Sequence, residues 1–164
     1  MLTATQAAYM AGMIDGEGSL EVQKQMQRNG KTPQYNIRLS FTMVTQEPLQ
    51  TMASWLGIKG PKKYKARQPK HSDPFRLHIP KIVTLAILED CADYLLTKKQ
   101  QAKLIIRLEA LRQSLSTSRK HTGSAHFVAM PPEWEQQAEP IYREFRRLKT
   151  NKRPGNPAGR PRKK

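Results

Sequence analysis

Apolar and polar residues alternate along the chain with a period that changes from helical to strand-like. A helix is predicted to begin at Thr3, because Thr3 and Gln6 have the spacing of a capping box, and to end near Asp15. Two strand-like segments follow at 19–28 and 35–44, joined through an Asn-Gly turn. In the second segment every other residue is apolar, which predicts one buried face and one solvated face.

The pattern after residue 44 predicts a second helix, a second strand pair and further helices. The second helix is predicted to be capped by Thr45 and to stop at Gly57. Strands are expected at 62–67 and 75–79, and Pro80 then opens a helix that two more follow. The order αββαββα plus C-terminal helices predicts an α+β domain. Helices would cover one face of an antiparallel four-stranded sheet and leave the other face open.

The charge of the chain points to a polyanionic partner. Its 164 residues hold 29 Lys and Arg against 13 Asp and Glu, a formal net charge of +16. Clustered cations bind phosphates well because binding releases counterions. Residues 1–150 are predicted to form one domain. Residues 151–164, with six basic side chains and no acid, are expected to be a disordered basic tail.

The sequence lacks the features of a membrane-spanning, a secreted or a disulfide-rich protein. The apolar runs are too short for a membrane span, so no membrane contact is expected. The N-terminus does not have the pattern of a signal peptide, which favours an intracellular location in an unknown compartment. Cys91 is the only cysteine, which excludes internal disulfides and cysteine-rich zinc sites, and we expect it to be an inert core thiol.

Residues 9–18, Tyr-Met-Ala-Gly-Met-Ile-Asp-Gly-Glu-Gly, carry the most specific signal. They predict a helix of small and apolar residues that ends on Glu17. A helix C-terminus is partly negative, so an acid there becomes favourable when a divalent cation binds. Glu17 is therefore a candidate metal ligand, and a solvated glutamate at a helix end is the alternative. Small residues one turn apart favour close packing on a second helix, supplied by a second copy. The expected interface residues are Ala11, Gly12, Asp15 and Gly16.

The strand after this helix carries a row of amides on one face, and basic residues cluster between positions 59 and 81. Glutamine pairs well with adenine edges, so the row suits base recognition, with a solvated strand face as the alternative. In the third strand Tyr64 and Ala66 are predicted to point inward. The residues then expected to face DNA are Ser19, Glu21, Gln23, Gln25, Gln27, Arg28, Arg38, Ser40, Thr42, Lys63, Lys65, Arg67, Arg76 and His78. Their amides would read bases while Lys and Arg contact phosphates.

Residues 10–18, Met-Ala-Gly-Met-Ile-Asp-Gly-Glu-Gly, resemble the nine-residue motif of the LAGLIDADG homing endonucleases. The resemblance covers about residues 5–150 and implies the fold of that family, in which the sheet of each subunit forms half of a DNA-binding saddle. It implies a homodimeric, single-motif endonuclease that cleaves double-stranded DNA at a long, roughly palindromic target. The reaction would be Mg²⁺-dependent phosphodiester hydrolysis, and the gene would lie in an intron or mobile element.

The resemblance also implies roles for individual residues. The metal would be bound by the Glu17 carboxylate, with the Gly16 carbonyl as a second ligand. A polar residue that positions water and a basic residue near the scissile phosphate would complete the site. The residues assigned to catalysis are Glu17, Gln46 and Lys98. Two assignments stay open: Thr45 could take the water-positioning role in place of Gln46, and Lys99 could be the basic residue in place of Lys98.

Two other functions compete with cleavage. A non-cleaving binder of the same fold, either an RNA maturase or a DNA-binding regulator, is the first alternative, and RNA binding stays open with it. A generic basic RNA- or ribosome-associated protein would explain the charge. It would leave the segment 12–18 unexplained.

Overall fold

The computed structural model describes residues 2–26, 33–66, 68, 72–117 and 131–150. Within these ranges the elements are α1 (Ala4–Gly16), β1 (Gly18–Met26), β2 (Pro33–Met43), α2 (Glu47–Trp55), β3 (Lys62–Lys63), β4 (Phe75–Ile79), α3 (Lys81–Asp90), α4 (Lys99–Thr117) and α5 (Pro132–Thr150). This order confirms the predicted α+β architecture. The turn expected at 29–30 and the tail expected at 151–164 lie outside the described residues.

The four strands form one antiparallel sheet in the order β1-β2-β4-β3. β1 pairs with β2 along its whole described length, from Gly18 opposite Phe41 to Met26 opposite Pro33. Paired residues on neighbouring strands point to the same face, so this register decides which side chains meet. β3 is a two-residue edge strand, much shorter than the predicted strand at 62–67.

The helices cover one face of the sheet and enclose the core there. Alternate strand residues are buried, as the sequence pattern predicts, and the helices supply apolar side chains opposite them. Each large side chain buried in this way contributes about 1.5–3 kcal/mol. The largest fully buried ones are Trp134, Phe41, Phe145, Met10, Ile14, Leu20, Leu39, Leu49, Met52, Leu77, Ile87 and Leu88. Among the described residues, no helix combines the length and apolarity needed to cross a bilayer.

The helix ends follow the sequence signals with one exception. At the start of α1, the Gln6 N–H donates to the Thr3 hydroxyl at 3.2 Å and the Thr3 N–H donates to the Gln6 side chain at 2.9 Å, the predicted capping box. The end of α2 is followed by Gly57 with φ of 60°, a conformation that favours glycine. The predicted cap at Thr45 is wrong, because Gln46 is the N-cap residue and a proline in the first turn starts the helix.

α5 is fixed to the end of β1 and the start of β2 by polar contacts. The Trp134 indole donates to the Pro33 carbonyl at 3.1 Å. The Lys24 ammonium and the Tyr35 hydroxyl each donate to the Glu139 carboxylate at 2.8 Å. The hydrogen bond from Lys24 outweighs the effect of burial and lowers the pKa of Glu139 to about 2. The C-terminal helix is therefore an integral part of the domain.

Cys91 lies in the core, as predicted. Its thiol donates to the Ala7 carbonyl at 3.3 Å, which joins the end of α3 to α1. Burial raises the pKa of this thiol to about 12, so it stays protonated and unreactive at neutral pH.

Candidate active site and nucleic-acid interface

Glu17 lies at the point where α1 ends and β1 begins. Its N–H bonds the Met13 carbonyl at 2.9 Å and closes the helix, while its side chain is exposed. The next residue, Gly18, is confined by the preceding helix. A Cβ on Gly18 would lie 2.8 Å from both the Cα and the carbonyl oxygen of Ile14. Only glycine fits this junction without a backbone shift, so the motif fixes an exposed carboxylate at the helix end.

Asp15 and Lys98 join this helix end to the start of α4. The Lys98 ammonium donates to the carbonyl oxygen of Ile14 and, at 2.9 Å, to that of Asp15. The Asp15 carboxylate accepts the N–H groups of residues 96–98 at 2.7, 3.1 and 2.7 Å, and the Thr97 hydroxyl at 2.9 Å. Burial acts to raise the pKa of Asp15. The backbone hydrogen bonds outweigh it, and the pKa lies below its usual value.

The catalytic residues expected from the sequence lie at the same end of the sheet. Lys98 is bound to the carbonyls of α1, where a cation stabilises the negative end of the helix dipole. Lys99 is the first residue of α4 and is half-buried. Gln46 and Thr45 are exposed in the segment between β2 and α2. They lie a few residues after Phe41, which pairs with Gly18 near the end of β2.

The described part of a single chain has too few ligand side chains near the end of α1 to hold a metal ion by itself. Among the described residues, no group of three or more His, Cys, Asp or Glu is close enough together to hold a metal ion. The Asp15 carboxylate is already occupied by N–H groups, which leaves Glu17 as the exposed acid at the end of α1. Carboxylate and carbonyl oxygens fit a hard divalent cation in kind. One chain supplies only one such carboxylate here.

The exposed side of α1 carries part of the predicted interface. Gly12 and Gly16 are exposed, and a Cβ on either would meet nothing within 4 Å. The prediction for Ala11 is wrong, because its side chain is 0% exposed and belongs to the core. Asp15 is half-buried and engaged by residues 96–98. Ala8, one turn before Gly12, is exposed and was missed, although the same four-residue spacing indicates it.

The second face of the sheet carries polar side chains in rows set by the strand register. From the Glu17 end outward these rows are Thr42–Arg76–Lys62, Ser19–Ser40–His78, Glu21–Arg38, Gln23–Asn36 and Gln25–Gln34. We call this surface the open face. Its residues are half-buried or exposed, and at about 3.3 Å per residue it is about 26 Å long. The expected residues Gln27, Arg28 and Arg67 lie outside the described residues.

Three members of the open face were missed by the sequence reasoning. Gln34 belongs to it because β2 begins at Pro33, two residues earlier than predicted. Asn36 lies within the predicted strand, on the polar side of its alternation, but was not assigned to the face. Extending the period-two alternation back along the strand identifies both. Lys62 belongs to it because it pairs with Arg76.

The predicted parity of the third strand is wrong. Lys63 pairs with Phe75 and points to the helical side, where its ammonium lies 6.0 Å from the Phe75 ring and 3.8 Å from the Asp73 carboxylate. Tyr64, predicted to point inward, is 38% exposed and lies beneath the Arg76 guanidinium. The chain leaves the sheet after two residues, so period-two alternation no longer applies. Lys65 is exposed outside any strand.

Positive charge gathers at the Glu17 end of the open face, and amides occupy the other end. Burial and the charges of Arg76, Arg38 and Lys62 lower the pKa of His78, which is therefore neutral at pH 7. At the far end, the Asn36 amide donates to the Gln25 side chain at 2.8 Å.

Glu21 is the acid of the open face among the described strand residues, and α5 neutralises it. The Lys149 ammonium contacts the Glu21 carboxylate at 3.2 Å and the Leu20 carbonyl at 3.3 Å. Burial acts to raise the pKa of Glu21, but the hydrogen bond and charge of Lys149, together with hydrogen bonds from Gln23 and Ser19, outweigh it and lower the pKa. The last turn of α5 therefore lies beside the edge strand β1.

Comparisons with known proteins place this geometry among solved structures. No protein-family profile and no curated protein matches the chain. The archaeal intron-encoded homing endonuclease I-Vdi141I, complexed with DNA, matches with a TM-score of 0.65 and 18% identity, over 88% of this chain and 84% of that chain. The homing endonuclease I-CvuI in complex with its target matches with a TM-score of 0.63 and 16% identity, over 88% and 82%. The LAGLIDADG homing endonuclease I-GzeII in complex with its DNA target matches with a TM-score of 0.59 and 12% identity, over 83% of this chain and 43% of that one. The chain therefore has the fold of the LAGLIDADG homing endonucleases, as the motif at residues 10–18 predicts.

Proposed function

We propose that the protein is a site-specific double-strand DNA endonuclease that acts as a homodimer and hydrolyses phosphodiester bonds with a divalent cation. The observation that carries this proposal is the exposed Glu17 carboxylate, fixed beside the basic end of the open face. Support also comes from I-Vdi141I and I-CvuI, homing endonucleases whose structures contain DNA. An intron or mobile element is the proposed location of the gene.

The open face is the proposed DNA-binding surface. A net charge of +16 favours a polyanion, and a polar antiparallel sheet suits the major groove. Its length of about 26 Å corresponds to about eight base pairs at about 3.4 Å each. Amides at the outer end would contact base edges, and cations at the sheet edges would contact phosphates.

A second copy of the chain is proposed to complete the active site. Glycine in a helix costs about 0.5–1 kcal/mol relative to alanine, and the chain's own packing does not require Gly12, since a Cβ there meets nothing. Close contact with another α1 through Ala8, Gly12 and Gly16 would account for it. The chain covers 43% of I-GzeII, which fits one half of a larger binding unit. Two-fold symmetry then predicts a roughly palindromic target.

The Glu17 carboxylates of two chains, each with its Gly16 carbonyl, would hold the cation, and Mg²⁺ suits such oxygen-only sites. A bound divalent cation supplies water activation and charge neutralisation at phosphorus. Gln46, exposed at the same end of the sheet, is proposed to orient the attacking water. Lys98 is proposed to hold the end of α1, and thereby Glu17, in position.

A randomised duplex DNA library tests the proposal directly. We expect incubation with Mg²⁺ to release double-strand cut fragments that share a roughly two-fold symmetric sequence, and EDTA to prevent their release. Sequencing both bound and cut fractions separates cleavage from binding. A sequence that is enriched by binding but never cut would instead identify a non-cleaving binder.

A further inference from the structure

Arg76 is held in one orientation on the open face by two neighbours. Its Nε–H donates to the Thr42 hydroxyl at 3.2 Å, and its guanidinium carbon lies 5.1 Å from the centre of the Tyr64 ring. The hydroxyl fixes one edge of the guanidinium, and the ring supports its flat side through a cation–π contact. These contacts leave the two Nη groups as a planar pair of donors at the end of the fork.

The position of Arg76 in the sheet favours contact with bases over contact with phosphates. Its strand, β4, runs between β2 and β3, so Arg76 has Thr42 on one side and Lys62 on the other. A sheet in the major groove presents its middle to the base edges and its borders to the two backbones. Lys62, on the edge strand, is therefore the better phosphate contact.

We infer that Arg76 reads a guanine, with its two Nη groups donating to guanine O6 and N7, and that Tyr64 and Thr42 are positioning residues for this contact. The inference rests on the proposed DNA-binding function. The arginine fork matches the two acceptors of guanine, and this is the commonest specific contact in the major groove. It differs from the sequence expectation, which gave every arginine of the face a phosphate.

The row of Arg76 also predicts where the guanine lies. This row is the nearest of the five to Glu17, whereas Gln25 and Gln34 form the most distant one. The guanine therefore belongs to the part of each half-site closest to the cleaved bonds.

The test selects bound duplexes from a randomised DNA library in Ca²⁺ and sequences them for the wild type and four variants. Arg76→Lys keeps the charge and removes the fork. Tyr64→Leu removes the ring, and Tyr64→Phe retains it. Arg143→Lys makes the same exchange at an exposed arginine of α5, away from the open face. Far-UV circular dichroism of each variant separates a lost preference from unfolding.

We expect the wild type to enrich a site with one guanine per half-site. Arg76→Lys should lower the preference for that guanine about tenfold or more and leave the base preferences at all other positions unchanged. Tyr64→Leu should weaken the same preference, while Tyr64→Phe and Arg143→Lys should retain it. If Arg76→Lys enriches the wild-type site with unchanged base preferences and uniformly weaker binding, Arg76 contacts phosphate and the inference is wrong. If the wild type enriches no site at all, the proposed function fails, and this inference fails with it.

Discussion

Asp15 and Lys98 each bind the backbone of the other's segment. The Lys98 ammonium donates to the Ile14 and Asp15 carbonyls at the end of α1, and the Asp15 carboxylate accepts the N–H groups of residues 96–98 before α4. The first contact gives the carbonyls at the end of α1 a further donor, beside the Glu17 N–H that also bonds Ile14, and the second satisfies N–H groups of the segment before α4. Glu17 comes two residues after Asp15 in the chain, so its position depends on these two contacts.

We expect Asp15→Asn to lower the free energy of unfolding by about 1–3 kcal/mol, because three N–H groups lose an ionised acceptor. Urea titration measures the change. Asp93→Asn, at an exposed aspartate in the segment after α3, is the matched control and should stay within about 0.5 kcal/mol of the wild type. Equal effects of the two substitutions would show that the carboxylate of Asp15 has no structural role.

Gly12→Ala is expected to change folding and self-association in opposite directions. Alanine is the better helix former by about 0.5–1 kcal/mol and its Cβ meets nothing within the chain, so α1 should be slightly stabilised. The added methyl group should nevertheless weaken the close contact between two α1 helices. Sedimentation equilibrium measures association, and urea unfolding at low protein concentration measures stability. Gln136→Ala, on the exposed side of α5, should leave association unchanged. Unaltered association of the Gly12 variant would contradict the proposed interface.

Gly18→Ala should destabilise the domain by about 1–3 kcal/mol, because its Cβ would lie 2.8 Å from backbone atoms of Ile14. Gly60→Ala provides a control with an equally close contact of a different kind. There the new Cβ would meet the end of the Gln50 side chain at 2.6 Å, and that side chain can rotate away. Thermal and urea unfolding compare the two variants. A smaller loss for Gly18→Ala than for Gly60→Ala would contradict the tight junction.

The stabilising effect of Glu139 should depend on pH in a defined direction. Its pKa is lowered to about 2 in the folded chain from an ordinary value of 4.5, so the ionised form is favoured by folding. The contribution is complete above about pH 5 and is lost as the pH falls toward 2. The difference in unfolding free energy between wild type and Glu139→Gln should therefore shrink over that range. A constant difference from pH 7 to pH 3 would mean that the contacts with Lys24 and Tyr35 do not depend on the charge.

The sequence predicts most of the fold because apolar alternation decides which side of each strand is buried. The capping box at Thr3 and the stop at Gly57 are local signals, and the structure confirms both. The parity of Lys63 and Tyr64 was not predictable in this way, since the chain leaves the sheet after two residues. Ala11 was misplaced because helical spacing does not reveal which small residues face the core.

The reciprocal contacts of Asp15 and Lys98 connect residues more than 80 positions apart. Spacing within a motif carries no information about such a contact. The resemblance to a family indicated that Lys98 matters, and the structure supplies a physical reason, its binding of the carbonyls of α1. The same holds for the contact of Arg76 with Tyr64, which depends on the register of β3 against β4.

The most direct measurement compares the wild type with Glu17→Gln on a DNA site obtained from the randomised library. Cleavage in Mg²⁺ and binding by electrophoretic mobility shift are followed on the same duplex, with Glu89→Gln, at an exposed glutamate of α3, as the control. The proposal predicts that Glu17→Gln binds the site within a few fold of the wild type but does not cut it, while Glu89→Gln does both. Cleavage by Glu17→Gln at the wild-type rate would contradict the assignment of the active site.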